Sequence, residues 1–212
     1  MDITDKIVTL TDTISYLPAT EEPFSCDIGF VKTDDCTWIF DVGVGEAAVQ
    51  AINAVQGKKK IVLSHFHPDH ITNLPLVSYD ELYVSKNTQK YTHCGTVLEV
   101  AADFGGVRIL PMPSCHAKGC LVLVAGDYAF LGDGAFCKMK GTEHVYNVQI
   151  LGDMVKFLDS LECKYFCLSH EQLFVQHKRA VMAIYHEIYS RRNKLKPGDS
   201  LINVDDYFVL EE

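Results

Sequence analysis

The chain has no CxxC pair, no apolar run approaching the ~20 residues of a membrane span, no broad basic stretch and a single tryptophan among its 212 residues. Each shortage excludes something. Eight cysteines (26, 36, 94, 115, 120, 137, 163, 167) are scattered singly, and the opening "MDITDKIVTLTDTISYLP" lacks a charged segment followed by a long apolar one. They read as reduced thiols of a soluble, cytoplasmic protein rather than a disulfide framework. Lys and Arg number 19 against 28 Asp and Glu, a formal net charge of -9. Binding nucleic acid through its phosphates needs clustered basic side chains, so neither nucleic acid nor a membrane is an expected partner. A small-molecule substrate is, and the oligomeric state has no signature. No linker or low-complexity segment interrupts the chain, and 48% hydrophobic content can build the core of a single domain spanning residues 1–212.

What is present is first a series of short β-rich runs: "KIVTL", "TISYL", then "CDIGFVK" and "CTWIFDV" flanking a "TDD" turn, which predicts a hairpin. "GEAAVQAINAVQG" has apolar residues at helical spacing, with Gly57 where a C-cap would sit. "KKIVLS" follows as a buried strand. Further strands are expected at "ELYVS", "VRILPM", "CLVLVAG" and "YAFLGD", helices from about Val148 to Leu161 and from about Val175 to Arg192, and a last strand at "INVDDYFVL". Hairpins first and helices alternating with strands later predict an α/β fold of mixed sheets covered by helices.

The chemistry concentrates in "IVLSHFHPDH", residues 61–70. The H-x-H-x-D-H pattern supplies His65, His67, Asp69 and His70 directly after a buried strand. Zinc takes neutral imidazole nitrogens and carboxylate oxygens, and a catalytic site keeps a position open for water. In an extended segment alternate residues point the same way, so His65 and His67 can share one ion. A helical turn beginning at Pro68 would swing Asp69 and His70 toward a second. Leu63-Ser64-His65 is echoed by Leu168-Ser169-His170, which ends another strand-like run. His93, His144, His177 and His186 lack ligand spacing; Cys115 reads as a structural thiol and Trp38 as core.

With "HFHPDH" the sequence resembles the metallo-β-lactamase fold superfamily, and the resemblance extends over nearly the whole chain as ordered motifs: "IFDVG" with Asp41, "HFHPDH", "PMPSCHAKG" with His116, "AFLGDGAF" with Asp133 and "CLSHEQ" with His170. It implies a four-layer αββα sandwich with the site at one edge between the sheets. Carried onto these residues, it implies one metal held by His65, His67 and His116, a second by Asp69, His70 and His170, and Asp133 bridging them. Asp41 would steady the histidine loop by hydrogen bonds. The family usually has a glycine before its last histidine; Ser169 stands here, a departure expected to bear on substrate subgroup.

The implied cofactor is a pair of zinc ions, with iron or manganese compatible with the same donors. The implied activity is a dinuclear metallo-hydrolase in which a metal-bridged hydroxide cleaves a small, anionic ester, thioester, lactone or lactam, with Asp69 and Asp133 as the catalytic carboxylates. Lys118, Lys138, Lys140, His144 and Tyr146 fall on stretches that face substrate in this family. The segment from "GDGAF" to "CLSHE" is similar to that of glyoxalase II-like thioesterases, although the roughly forty residues after His170 cannot supply their helical substrate domain. The alternative is a non-haem iron redox protein for oxygen or sulfur chemistry, or a ligand sensor using the same metal site. The diiron branch usually has a glutamate where this chain has His67.

Overall fold

The computed structural model describes residues 6–207. Cys120–Ala125 is buried along its whole length, and its side chains divide by alternation: Cys120, Val122 and Val124 enter one core, Leu121, Leu123 and Ala125 another. A strand apolar on both faces needs a sheet covered on both sides, and such a sheet is found. Six strands run in the order Ala102–Asp103, Val107–Met112, Cys120–Ala125, Tyr128–Gly132, Tyr165–Leu168 and Val175–His177. All neighbours are antiparallel except Tyr128–Gly132 and Tyr165–Leu168, which run parallel.

The facing sheet has seven strands, Val8–Thr9, Ile14–Leu17, Ile28–Lys32, Thr37–Phe40, Lys59–Val62, Glu81–Val84 and Thr96–Val97. Its first four strands are antiparallel neighbours, and the pairings from Thr37–Phe40 onward are parallel. Trp38, Phe40, Val62 and Tyr83 from this sheet meet Ile109, Leu121, Leu123 and Phe130 from the other.

Among the described residues five α-helices complete the architecture: α1 (Glu46–Ala54), α2 (Pro68–Ile71), α3 (Lys86–Thr92), α4 (Val148–Ser160) and α5 (Lys178–Ser190). α1 lays Ala48, Ala51 and Ile52 on the outer face of the seven-stranded sheet, against Ile39 and Ile61. α4 buries Leu151, Met154, Val155 and Leu158, and α5 buries Val181, Met182, Tyr185 and Ile188, over Val122, Leu131 and Phe166 of the other. The α4 set follows the i, i+3, i+4, i+7 stripe of a half-buried helix, and the α5 set, at i, i+1, i+4 and i+7, likewise keeps to one face. Burying one such large apolar side chain contributes about 1.5–3 kcal/mol. The result is the expected four-layer αββα sandwich. Among the described residues, no helix is long and apolar enough to cross a membrane.

Several local expectations need correction. α1 ends earlier than Gly57 predicted: Val55 is its C-cap, and Gly57 instead takes φ 80° in the turn into the next strand. The segment expected to be helical from Val175 begins as the edge strand Val175–His177, because Tyr165, Phe166 and Cys167 offer it a partner, and α5 starts only at Lys178. The final run forms a strand only over Leu201–Asn203, followed by a 3-10 turn at Asp205–Tyr207; residues 208–210 of that run lie outside the described residues. Leu201–Asn203 pairs with Glu143–Asn147, itself paired with Lys138–Lys140, in a small third sheet that the sequence pattern does not announce.

Candidate metal centre

The segments that carry His65, His67, His70, His116 and His170 leave the sandwich at one edge. Strands Thr37–Phe40 and Lys59–Val62 are parallel neighbours, so Asp41 and the 64–70 loop emerge side by side, with Asp41 N donating to Val62 O at 2.9 Å. Tyr128–Gly132 and Tyr165–Leu168 are likewise parallel, which brings Asp133 and His170 out together. Loops beyond the carboxyl ends of parallel strands form the crevice where α/β folds place ligands. His116 arrives from the turn joining Val107–Met112 to Cys120–Ala125.

His67 is extended (φ -67°, ψ 146°) and caps α2, whose first residue is Pro68. Proline's fixed φ suits that position, and the change from extended to helical backbone divides the loop's side chains into two groups, as the sequence predicts. His65, His67, His116 and Asp133 form one cluster and Asp69, His70, Asp133 and His170 the other; within each, the donor atoms lie within 4.8 Å of one another. Asp133 belongs to both. His116 Nε2 is 3.0 Å from His67 Nδ1 and 3.4 Å from Asp133 Oδ2. His70 Nε2 is 3.2 Å from Asp69 Oδ2 and 3.3 Å from Asp133 Oδ2, while His170 Nε2 is 3.0 Å from Asp69 Oδ2. Ligands about 2.0–2.1 Å from a tetrahedral zinc stand roughly 3.3 Å apart, so these separations match a shared ion.

Three atoms decide the fit. His65 Nε2, His70 Nε2 and Asp133 Oδ1 are buried and have no hydrogen-bond partner. Buried polar atoms without partners cost folding free energy, and a cation between these clusters would satisfy all three.

The rings are held by their other nitrogens. Asp41, fully buried, accepts from Ser64 N through Oδ1 at 2.7 Å and from His70 Nδ1 through Oδ2 at 2.8 Å. Once the ring gives up its other proton, as metal binding requires, this bond leaves Nε2 bare. Asp41 does this at φ 65°, a left-handed conformation that aspartate tolerates better than most residues. Ser64 Oγ sits 2.9 Å from His65 Nδ1 and 3.2 Å from His70 Nδ1.

Gly132 explains the glycine of "FLGDG". A Cβ there would lie 2.9 Å from Ser64 Cβ and Oγ, and its φ is 53°. Gly132→Ala should therefore displace Ser64 and with it both histidine rings. We expect metal affinity to fall about 10- to 100-fold, the range for losing an outer support of a ligand, although no ligand is altered; a metal titration of the variant checks it.

Sequence reasoning missed Asp27 and underused Ser169. Asp27 is buried, and its Oδ2 accepts from His170 N at 3.1 Å; Ser169 Oγ accepts from Asp27 N at 2.9 Å and donates to Asp27 Oδ2 at 3.3 Å. This reciprocal pair fixes the turn that carries His170 at φ 62°. Ser169 thus positions the ligand beside it, which corrects the expectation of a substrate-subgroup role. The one signal in the sequence was its departure from glycine. Ser169→Ala leaves Asp27 N without its acceptor, and should cost about 1–3 kcal/mol of stability in a denaturant titration, and loosen metal binding at His170.

The two halves differ in charge preference. Burial and neighbouring histidines push His65 well down, burial pushes His67 and His116 down, and all three stay neutral and ready to ligate. Burial also opposes charge on His70 and His170, but Asp41 and Asp133 around the first, and Asp69 and Asp133 around the second, raise both above the ordinary histidine value. Burial pushes Asp69 up, yet the hydrogen bond from His170 and the facing His70 imidazole hold its carboxyl well below the usual range. An ion entering this half displaces protons. A third grouping, Cys26 with Asp41 and His70, shares His70. Burial pushes the Cys26 thiol up to about 12, so it packs against the ring as a neutral thiol.

No family model matches the sequence, and no curated protein matches it. Solved structures do. The Rm3 metallo-β-lactamase is similar over 89% of this chain and 94% of its own, at 15% identity and TM-score 0.65. The fold is that of the metallo-β-lactamases. A chemotaxis sensor, ODP, whose structure holds a peroxy diiron species, is similar over 86% of this chain and 93% of its own, at 13% identity and TM-score 0.65. The flavodiiron protein from Giardia intestinalis matches 89% of this chain with 59% of its own length, at 12% identity and TM-score 0.63.

Within this metallo-β-lactamase fold the expected substrate-facing residues disperse. Tyr146 is buried in the core under α4 and α5, and its hydroxyl donates to Ala135 O at 2.9 Å, so it supports the Asp133 turn from behind. His144 is tied to the C-terminal turn, 3.0 Å from Asp205 Oδ1. Lys138 and Lys140 are exposed on the small third sheet, and Lys118 is exposed on the turn after His116. Aromatic rings edge the centre instead. Phe24 stacks on His170 at 4.6 Å, Phe66 lies edge-on to His67 at 5.1 Å, and Phe136 lies edge-on to His116 at 6.5 Å.

Proposed function

We propose that this chain is a metal-dependent hydrolase with a dinuclear centre, zinc being the first choice, that cleaves a small ester, thioester, lactone or lactam. The observation that carries the reading is Asp133, common to two clusters whose buried His65 Nε2, His70 Nε2 and Asp133 Oδ1 have no other partner. His65, His67 and His116 would hold one ion, Asp69, His70 and His170 the other. Divalent ions so held would supply a water whose pKa falls from 15.7 to about 7 and would polarise the carbonyl under attack.

The chain's own contribution is orientation and charge. Asp69, its carboxyl held low by His170 and His70, stays ionised and orients water by accepting a hydrogen bond rather than by taking the proton. Asp41 and Ser64 hold the imidazoles in the ligating orientation, and Asp27 with Ser169 does the same for the His170 turn. The expectation of an anionic substrate is revised. The cleft that opens on His170, about 360 Å³, carries Glu21, Asp27 and Glu171 among its lining residues and no Lys or Arg. That lining favours a substrate whose group there is neutral.

A second reading, iron-based oxygen or sulfur chemistry or sensing, draws support from the diiron proteins of the same fold. The five imidazoles and two carboxylates favour the first, because His67 leaves the centre with fewer hard oxygen donors. The eight cysteines are all free. A screen of zinc-loaded protein against thioesters, lactones, β-lactams and phosphodiesters tests the proposal. Turnover of a carbonyl substrate is the expected result; no turnover by a protein that retains iron through purification would favour the second reading.

A further inference from the structure

Beside the metal centre lies a pocket of about 230 Å³ that the reaction as described does not use. Its walls come from both ligand-bearing turns: Phe136, three residues after Asp133, and Leu168 and Glu171, flanking Ser169 and His170. α5 closes it with Val181, Ile184, Tyr185 and Ile188, the i, i+3, i+4, i+7 stripe of one helix face. Two of these residues connect it to the chemistry. Phe136 also lies edge-on to the ligand His116, and Glu171 also lines the cleft that opens on His170. Ile184 remains 45% exposed, an apolar side chain at the pocket that the fold itself does not cover.

We propose that this pocket takes the unbranched apolar chain of the substrate, so that the protein acts on medium-chain acyl esters, thioesters or lactones. The inference rests on the hydrolase reading for the reacting end of the molecule, and on the pocket's own lining for the chain. Glu171 and Gln176 are polar, the Tyr146 hydroxyl is taken up by Ala135 O, and the lining is otherwise aliphatic and aromatic. The acidic cleft suits a neutral linkage, and the adjoining apolar pocket suits a hydrocarbon tail. A methylene occupies somewhat less than the ~30 Å³ of a liquid water, so the volume holds a chain on the order of eight carbons.

The test is direct binding of straight-chain 1-alkanols of four to twelve carbons, by isothermal titration on the protein as purified, which needs no turnover. Each added methylene should tighten binding about fourfold, the factor that corresponds to ~0.8 kcal/mol per buried CH₂, until the pocket fills near eight carbons and the gain stops. Ile184→Trp, at a half-exposed position where the larger ring can be accommodated without core repacking, should move that break to shorter chains. A flat series would overturn the proposal, as would a gain that continues unbroken to twelve carbons or a break unmoved in Ile184→Trp. If the chain-length series holds but no ester, thioester or lactone is turned over, the function assigned above fails while the pocket stands.

Discussion

Asp133→Asn should remove the second metal ion and lower hydrolysis by more than ~100-fold, beyond the 10- to 100-fold typical of losing an outer support. Only a carboxylate can offer one anionic oxygen to each of two ions, and an amide offers one neutral carbonyl oxygen and a donor. The variant keeps shape and burial, so the effect isolates charge. His70 Nε2 and His116 Nε2, at 3.3 and 3.4 Å from Asp133 Oδ2, would then face each other's ion across a weaker bridge. The half containing His70 and His170 should empty first, because its imidazoles are the ones raised above the ordinary value and hold protons against the metal. Asp41→Asn, which touches no ion in this account, should cost only the 10- to 100-fold range. Metal content and ester turnover measured on both variants in parallel give the comparison. Asp133→Asn with two ions and near-normal turnover would reduce Asp133 to a strand-end carboxylate.

Stripping the metal should lower the melting temperature by roughly 10 °C for each ion lost. A ligand present at a thousand times its Kd stabilises the native state by ~4 kcal/mol, and in a domain of this size each kcal/mol moves Tm by about 2–4 °C. The partnerless His65 Nε2, His70 Nε2 and Asp133 Oδ1 explain why the penalty falls on folding as well as on chemistry: without ions they remain buried and unsatisfied. Chelation followed by calorimetry, with zinc added back, reads the effect and its reversal. A melting temperature indifferent to chelator and zinc would mean that the clusters do not hold metal in solution.

The parts of this centre legible in the sequence are those with local rules. "HFHPDH" announces its own geometry, since alternation pairs His65 with His67 and the proline begins the helix that carries Asp69 and His70. Asp41, Asp133 and His170 were recognisable as strand-end residues, because short apolar runs announce where strands stop. Ser64 and Asp27 were not, since Ser64 meets Asp41 23 residues away and Asp27 meets His170 143 residues away in sequence, which no period in the chain encodes. The same limit applies to the setting of the residues expected to face substrate. Lys138, Lys140, His144 and Tyr146 fall in a polar stretch that reads as loop, and only pairing with the distant Leu201–Asn203 strand makes it a sheet and turns Tyr146 into the core. Val175–His177 looked helical because α5 follows without a break in its apolar pattern; the edge of the six-stranded sheet, not local propensity, sets its conformation.

Anomalous diffraction from crystals of the zinc-loaded protein tests the central claim most directly. The account predicts two peaks ~3.5 to 4 Å apart, one among His65, His67 and His116, the other among Asp69, His70 and His170, with Asp133 touching both. A single peak away from Asp133, or none among these side chains, would contradict it.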